Sequence, residues 1–136
     1  MSNKLKKVSF DFDGTLSRPD VQKFAKELVE QGHEVWIVTS RHSNQSAKSK
    51  AWWWIIEQNK NLYNVSEKCN IKKEHIHFTN GEDKIVYLKD KGFVFHLDDD
   101  LHELILIMES KDTCKPLNVD HPDWKENCLE ILNELK

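Results

Sequence analysis

At 136 residues, with 38% hydrophobic and 32% charged residues, the chain is long enough for one well-buried core and too short for a second domain of ordinary size. Its net charge of −3 excludes a generally basic nucleic-acid coat while leaving room for a local basic patch. The opening MSNKLKK lacks the apolar stretch of a secretory signal, and the longest apolar run, LILIM at 104–108, is far too short to span a bilayer. Cys69, Cys114 and Cys128 show no close metal-type spacing, so reduced thiols in a cytoplasmic protein with no membrane partner are expected.

Helical and strand patterns alternate along the chain. Residues 7–12 read as a strand. Residues 19–32 read as a helix, with Pro19 suited to its first turn, Val21, Phe24 and Leu28 on its apolar face, and Gly32 as its stop. The run HEVWIVTS at 33–40, apolar and closed by hydroxyls, has the pattern of a buried parallel strand. A helix is predicted over 43–59, with a further short turn or helix over 64–70. A third strand follows at 74–80, a short helix at 82–89, a fourth strand at 92–98 and a helix at 101–110. A short edge strand at 113–119 and a final helix at 123–135 complete the chain. This alternation implies one α/β domain over 1–136, a mostly parallel sheet with helices on both faces.

In open α/β sheets, ligands bind in the crevice outside the carboxyl ends of the strands. Asp11 and Asp13 follow the first strand here; Thr39, Ser40 and Arg41 close the second. Thr79 and Asn80, with Lys84 just beyond, end the third, and Asp98, Asp99 and Asp100 end the fourth. Acids this close repel and raise one another's pKa unless a cation sits among them. A hard divalent ion such as Mg²⁺, which takes carboxylates, water and phosphate oxygens, is the natural partner. The lysine and arginine at the same rim suit an anionic phosphate. The DDD triple leaves the acidic pair ambiguous by one residue. DLHE at 100–103 resolves it as a capping box with Asp100 as N-cap and Glu103 at N3, assigning Asp98 and Asp99 to the metal.

The motif DFDGTL at 11–16, the strand VWIVTSR, Lys84 in GEDKIVYLK and the strand FVFHLDD, in this order, resemble the four motifs of the haloacid dehalogenase (HAD) superfamily of phosphohydrolases. The resemblance implies a three-layer Rossmann-like domain and a phosphatase working through an aspartyl-phosphate. In that scheme Asp11 is the nucleophile and a Mg²⁺ ligand. Asp13 is the general acid and base and ligates the metal through its backbone carbonyl. Thr39 hydrogen-bonds a phosphoryl oxygen and Lys84 neutralises nucleophile and phosphate; Asp98 binds Mg²⁺ directly and Asp99 supports it. Gly14, Ser40 and Arg41 are the matching substrate-binding positions.

Only 25 residues separate Asp13 from Thr39 and 44 separate Thr39 from Lys84, so no cap domain is expected and the site should be open. An open site favours a substrate whose bulk stays outside: a nucleic-acid end, a phosphoprotein, or a small molecule covered by another subunit. VTSRHS at 38–43 is similar to the second-motif region of polynucleotide 3′-phosphatase domains, which makes a nucleotide or nucleic-acid 3′-phosphate end the leading substrate class. A non-catalytic module that binds Mg²⁺ and phosphate is the alternative from another class.

The remaining chemistry-bearing residues read mainly as structural. His75 and His77 fall on one strand face with Cys69 upstream but no fourth metal ligand near. His42 and His96 flank the motifs, each a pocket-lining candidate and each more readily a satisfied structural histidine. Three consecutive tryptophans, Trp52, Trp53 and Trp54, span about two hundred degrees of helical arc and cannot all face one core. At least one meets solvent, another helix, a partner subunit in a homo-oligomer, or a ligand.

Overall fold

The computed structural model describes residues 5–134; the basic opening at 1–4 and the predicted helix end at Leu135 lie outside them. Five strands form one wholly parallel sheet: β1 Lys7–Phe10, β2 Glu34–Thr39, β3 Ile76–Phe78, β4 Phe93–Asp98 and β5 Lys115–Asn118, in the spatial order β3-β2-β1-β4-β5. The helices are α1 Pro19–Glu30, α2 Asn44–Ser49, α3 Trp53–Lys68, α4 Lys84–Leu88, α5 Leu101–Ser110 and α6 Trp124–Glu134. The predicted α/β class holds, and the edge strand foreseen at 113–119 joins the sheet beside β4.

Strand alternation sorts the two layers. Val8 and Phe10 on β1, Val35 and Ile37 on β2, and Phe95 and Leu97 on β4 point to the face packed by Phe24 and Leu28 of α1, Leu62 of α3 and Cys128 of α6. Phe10 meets Phe24 and Phe95 edge-on, at centroid distances of 6.3 and 5.8 Å. The other face is covered by α4 and α5, with Val38, Leu88, Phe93 and Ile107 at its centre. The 44 residues between Thr39 and Lys84 thus form α2, α3, a short 3₁₀ turn and β3, and α3 lies in the main core through Leu62 and Val65.

The helix predicted over 43–59 is two helices. Ser43 caps α2, its hydroxyl accepting from Ser46 N–H at 3.1 Å, and the chain then reverses at Ala51, which has φ +56°. Trp52 N–H reaches Ala47 O at 2.8 Å and Ala51 N–H reaches Lys48 O at 3.1 Å, the paired bonds of a Schellman ending with alanine in the left-handed position usually held by glycine. The separate element predicted over 64–70 is the end of α3, which runs unbroken to Lys68. His75 belongs to the 3₁₀ turn Lys73–His75 rather than to β3, and stacks on Trp36 at 4.8 Å.

This topology places the site. The chain steps outward from β1 to β2 and β3, then returns to lay β4 on the other side of β1, so the order reverses between β1 and β4. Clefts open at such a switch point, above the carboxyl ends of the two strands.

Candidate active site

A cleft of about 280 Å³ lies at that reversal, lined by Asp11, Asp13, Ser40, Lys84, Asp98, Asp99 and Asp100. Asp11 N–H donates to Leu97 O at 2.9 Å, holding the end of β1 against β4. The cleft is organised by Lys84, the first residue of α4, whose side chain is almost wholly buried. Its Nζ donates to Asp11 Oδ1 at 2.7 Å and to Asp98 Oδ2 at 2.6 Å. One lysine bridges two carboxylates from two adjacent strands.

The electrostatics follow from that sharing. Burial raises Asp11 well above the usual carboxylate range; Lys84 opposes the shift and the nearby charge of Asp98 adds to it. Burial also acts against ionised Asp98, but the His96 hydrogen bond and the charge of Lys84 hold it well below that range. Lys84 would be lowered by burial alone, and its two acids instead raise it. Burial raises Asp99 as well. Asp11, Asp98 and Asp99 can bring one oxygen each within 4.8 Å of one another. Three acids against one lysine leave negative charge in a partly dry cleft, and oxygen donors alone face it; this donor set fits a hard divalent cation.

Behind Asp98 runs a buried relay. His96 Nε2 lies 2.7 Å from Asp98 Oδ2, and Ser9 Oγ lies 2.7 Å from His96 Nδ1. Because Nε2 faces a carboxylate it carries the proton, and Nδ1 accepts from the serine hydroxyl. Burial pushes His96 toward its neutral form against the pull of Asp98. His96 therefore orients Asp98 from beneath the cleft. Strand alternation on neighbouring strands explains the relay: Ser9 pairs with His96, and Asp11 and Asp98 follow two residues later on the same face.

Asp100 is the N-cap of α5, its Oδ1 accepting from His102 N–H at 3.0 Å and Glu103 N–H at 3.4 Å. The expected reciprocal half of the capping box does not form. Asp100 N–H donates to Asp98 Oδ1 at 3.0 Å, and the half-buried Glu103 carboxylate instead receives the backbone N–H of Lys84 at 3.3 Å. Glu103 thus caps α4 and fixes the root of the bridging lysine, a role invisible until α4 and α5 are packed together.

On the other rim, Arg41 pairs bidentately with Asp13, Nε to Oδ2 at 2.9 Å and Nη2 to Oδ1 at 2.7 Å. Its Nη1 donates to Gln58 O at 3.0 Å, and the guanidinium lies 5.0 Å over the Phe12 ring. Asp13 is accordingly turned away from the three-acid group toward the rim and is 60% exposed. Thr39 is fully buried and its Oγ1 accepts from Arg41 N–H at 3.2 Å, so Thr39, Arg41 and Asp13 form one connected unit beside the cleft. Gly14, with φ +75°, sits so close to the Asp99 carboxylate that any side chain would collide with it, and its N–H is taken by Ser17 Oγ at 3.1 Å. Ser40 is exposed in the lining, and Gly14 and Thr39 stand outside it.

The other candidates are satisfied elsewhere. His42 bonds Ser46 Oγ at 3.0 Å and meets Trp52 edge-on, and His77 stacks on Tyr87 at 3.6 Å. Among the described residues, the aspartate trio is the only group of three or more acids, histidines or cysteines close enough to share a metal. No helix of the described residues is long and apolar enough to cross a membrane. Comparisons with protein-family models, curated proteins and solved structures found no match.

Proposed function

We propose that this chain is a Mg²⁺-dependent phosphomonoester hydrolase of the haloacid dehalogenase type, working through a phosphorylated Asp11. The observation that carries the reading is the Lys84 bridge. A buried lysine held at 2.7 and 2.6 Å between Asp11 and Asp98, with Asp99 beside them, makes a compact centre of alternating charge at the topological switch point. Structural ion pairs seldom leave one cation facing three acids; a site awaiting a divalent ion and a phosphate does.

Asp11, Asp98, Asp99 and the backbone carbonyl of Asp13 would hold the metal, which would supply charge neutralisation for the phosphoryl oxygens. The Asp11 carboxylate attacks phosphorus, the phosphorus–oxygen bond to the leaving group breaks, and the leaving alcohol takes a proton from Asp13. Asp13 then removes a proton from water, whose oxygen attacks phosphorus and frees Asp11 and inorganic phosphate. Lys84 holds the nucleophile and neutralises the incoming phosphoryl group, the positioning and electrostatic work on which phosphoryl transfer depends. Asp13 is reached by substrate only when its pair with Arg41 opens. A phosphate oxygen competing for the guanidinium does that and leaves Arg41 on the substrate. Thr39, bonded to the Arg41 backbone, anchors this rim. Three unpaired, buried cysteines favour a cytosolic setting.

The test is phosphate release from nucleotides, sugar phosphates, a phosphopeptide and a 3′-phosphorylated oligonucleotide, with Mg²⁺ and with EDTA, for wild type beside Asp11→Asn. Metal-dependent release lost in the variant is the expected result. Mg²⁺ binding without release from any substrate would leave a phosphate-binding module instead.

A further inference from the structure

Three features of α2 and α3 coincide outside the cleft. The first is charge. Between Arg41 and Lys73 the chain carries seven lysines and arginines against Glu57 and Glu67, a local balance of +5 in a chain whose net charge is −3. The second is aromatic exposure. Trp53 and Trp54 are 61% and 58% exposed, while α3 meets the core through Leu62 and Val65, so these two rings leave the packing of the fold without a use. Trp52, half-buried, props this end of the helix between His42 and Trp54, with Lys50 Nζ 5.2 Å over its ring. The third is a groove of about 530 Å³ along α3, lined by Asn44, Lys60, Tyr63, Asn64 and Lys73.

The three lie on one side of the molecule. Trp53, Lys60 and Asn64 fall on a single stripe of α3, seven and then four residues apart. The surface also reaches the cleft. Asn59 donates to Asn44 Oδ1 at 2.9 Å, and its own Oδ1 lies 3.4 Å from Arg41 Nη1, the same arginine that clasps Asp13. A path of cations and aromatic faces therefore runs from the cleft rim along α3, while the rest of the chain carries the negative excess and repels a polyanion.

We propose that the α2–α3 face binds single-stranded nucleic acid and presents its phosphorylated end to the cleft, an inference that rests on the phosphomonoesterase reading above. Unpaired bases stack on exposed indoles without regard to sequence, and lysines spaced along the groove follow the phosphates. Base-paired nucleic acid hides the base faces the tryptophans need.

The test is fluorescence anisotropy with a labelled oligothymidylate of about ten nucleotides carrying a 3′-phosphate, in EDTA so that no turnover intervenes. Saturable binding is expected. Trp53→Ala/Trp54→Ala should weaken it by roughly tenfold or more, with Trp53→Phe/Trp54→Phe largely restoring it. Lys60→Ala/Lys73→Ala should weaken it and flatten the salt slope by about 1, and a duplex of the same length should bind less tightly. All three double variants should hydrolyse p-nitrophenyl phosphate at the wild-type rate, because none touches the cleft.

Absence of saturable binding at low salt would overturn the proposal. So would undiminished binding by the Trp53→Ala/Trp54→Ala variant. Loss in that variant of a concentration-dependent self-association, with oligonucleotide binding unchanged, would overturn it in favour of a second copy of the chain on this face. Failure of the phosphatase reading would show separately, as p-nitrophenyl phosphate hydrolysis absent or insensitive to Asp11→Asn.

Discussion

Lys84→Met tests the electrostatic logic of the cleft without any assumption about substrate. Methionine keeps the unbranched stem and removes the charge, so the loss is electrostatic rather than a cavity. Asp11 and Asp98 would then face each other, buried, without the ammonium that both contact within 2.7 Å. Removing one partner from a buried ion pair typically costs about 3–5 kcal/mol, a large share of the roughly 5–15 kcal/mol that holds a domain folded. In EDTA at neutral pH, urea unfolding should report a loss of that size. Three refinements are expected. Asp11→Asn in the same background should recover about 1–3 kcal/mol, because the surviving repulsion is between those two carboxylates. Saturating Mg²⁺ should stabilise the protein by about 2.7 kcal/mol at a hundredfold excess over its dissociation constant. The wild-type advantage should also narrow on acidification. Asp98 has a depressed folded pKa, so its contribution is present above its unfolded value near 3.8 and fades as pH falls below it. A loss under about 1 kcal/mol, or no coupling between positions 84 and 11, would refute the bridge as the organising charge of the site.

Asp11→Asn should abolish phosphate release while leaving stability in EDTA at pH 7 undiminished, since ionised Asp11 is disfavoured by burial; calorimetry beside a phosphate assay checks both. Asp98→Asn should weaken Mg²⁺ binding at least tenfold by isothermal titration. Asp100→Ala should instead cost about 1 kcal/mol of stability through the lost α5 cap, with Mg²⁺ affinity nearly unchanged; the reverse order would shift the acidic pair by one residue. Burial pushes the Cys114 and Cys128 thiols up to about 12, so a thiol reagent should reach them only after unfolding. Because these folded values exceed the unfolded value near 9, the two cysteines bind protons more tightly in the folded chain. Their contribution to stability should therefore decline as pH rises from about 9 toward 12, as alkaline urea titrations would show.

Local chemistry was legible in the sequence. Apolar strands ending in acids and hydroxyls, a helix opened at Pro19, and Asp100 as the cap of α5 all depend on neighbours within a few residues. So does the ending of α1, where Gly32 takes the left-handed position and its N–H reaches Val29 O at 2.9 Å. The ending of α2 uses the same hydrogen bonds but places Ala51 there, and alanine, the best helix former, carries no stop signal. That break is what sets three tryptophans at the head of α3 rather than in mid-helix.

Only the tertiary structure decided who shares a charge with whom. The order β3-β2-β1-β4-β5 makes β1 and β4 neighbours, so Lys84 joins Asp11 across 73 residues of sequence and His96 rests on Ser9. The same packing sends Glu103 to the backbone of Lys84 instead of to its own helix, and turns Asp13 to Arg41 rather than to the other acids. A one-dimensional pattern records which groups stand at strand ends. Their pairing is a matter of distance in a medium of low dielectric, where a few ångströms decide whether a carboxylate is raised, lowered or bridged, and distance is what folding supplies.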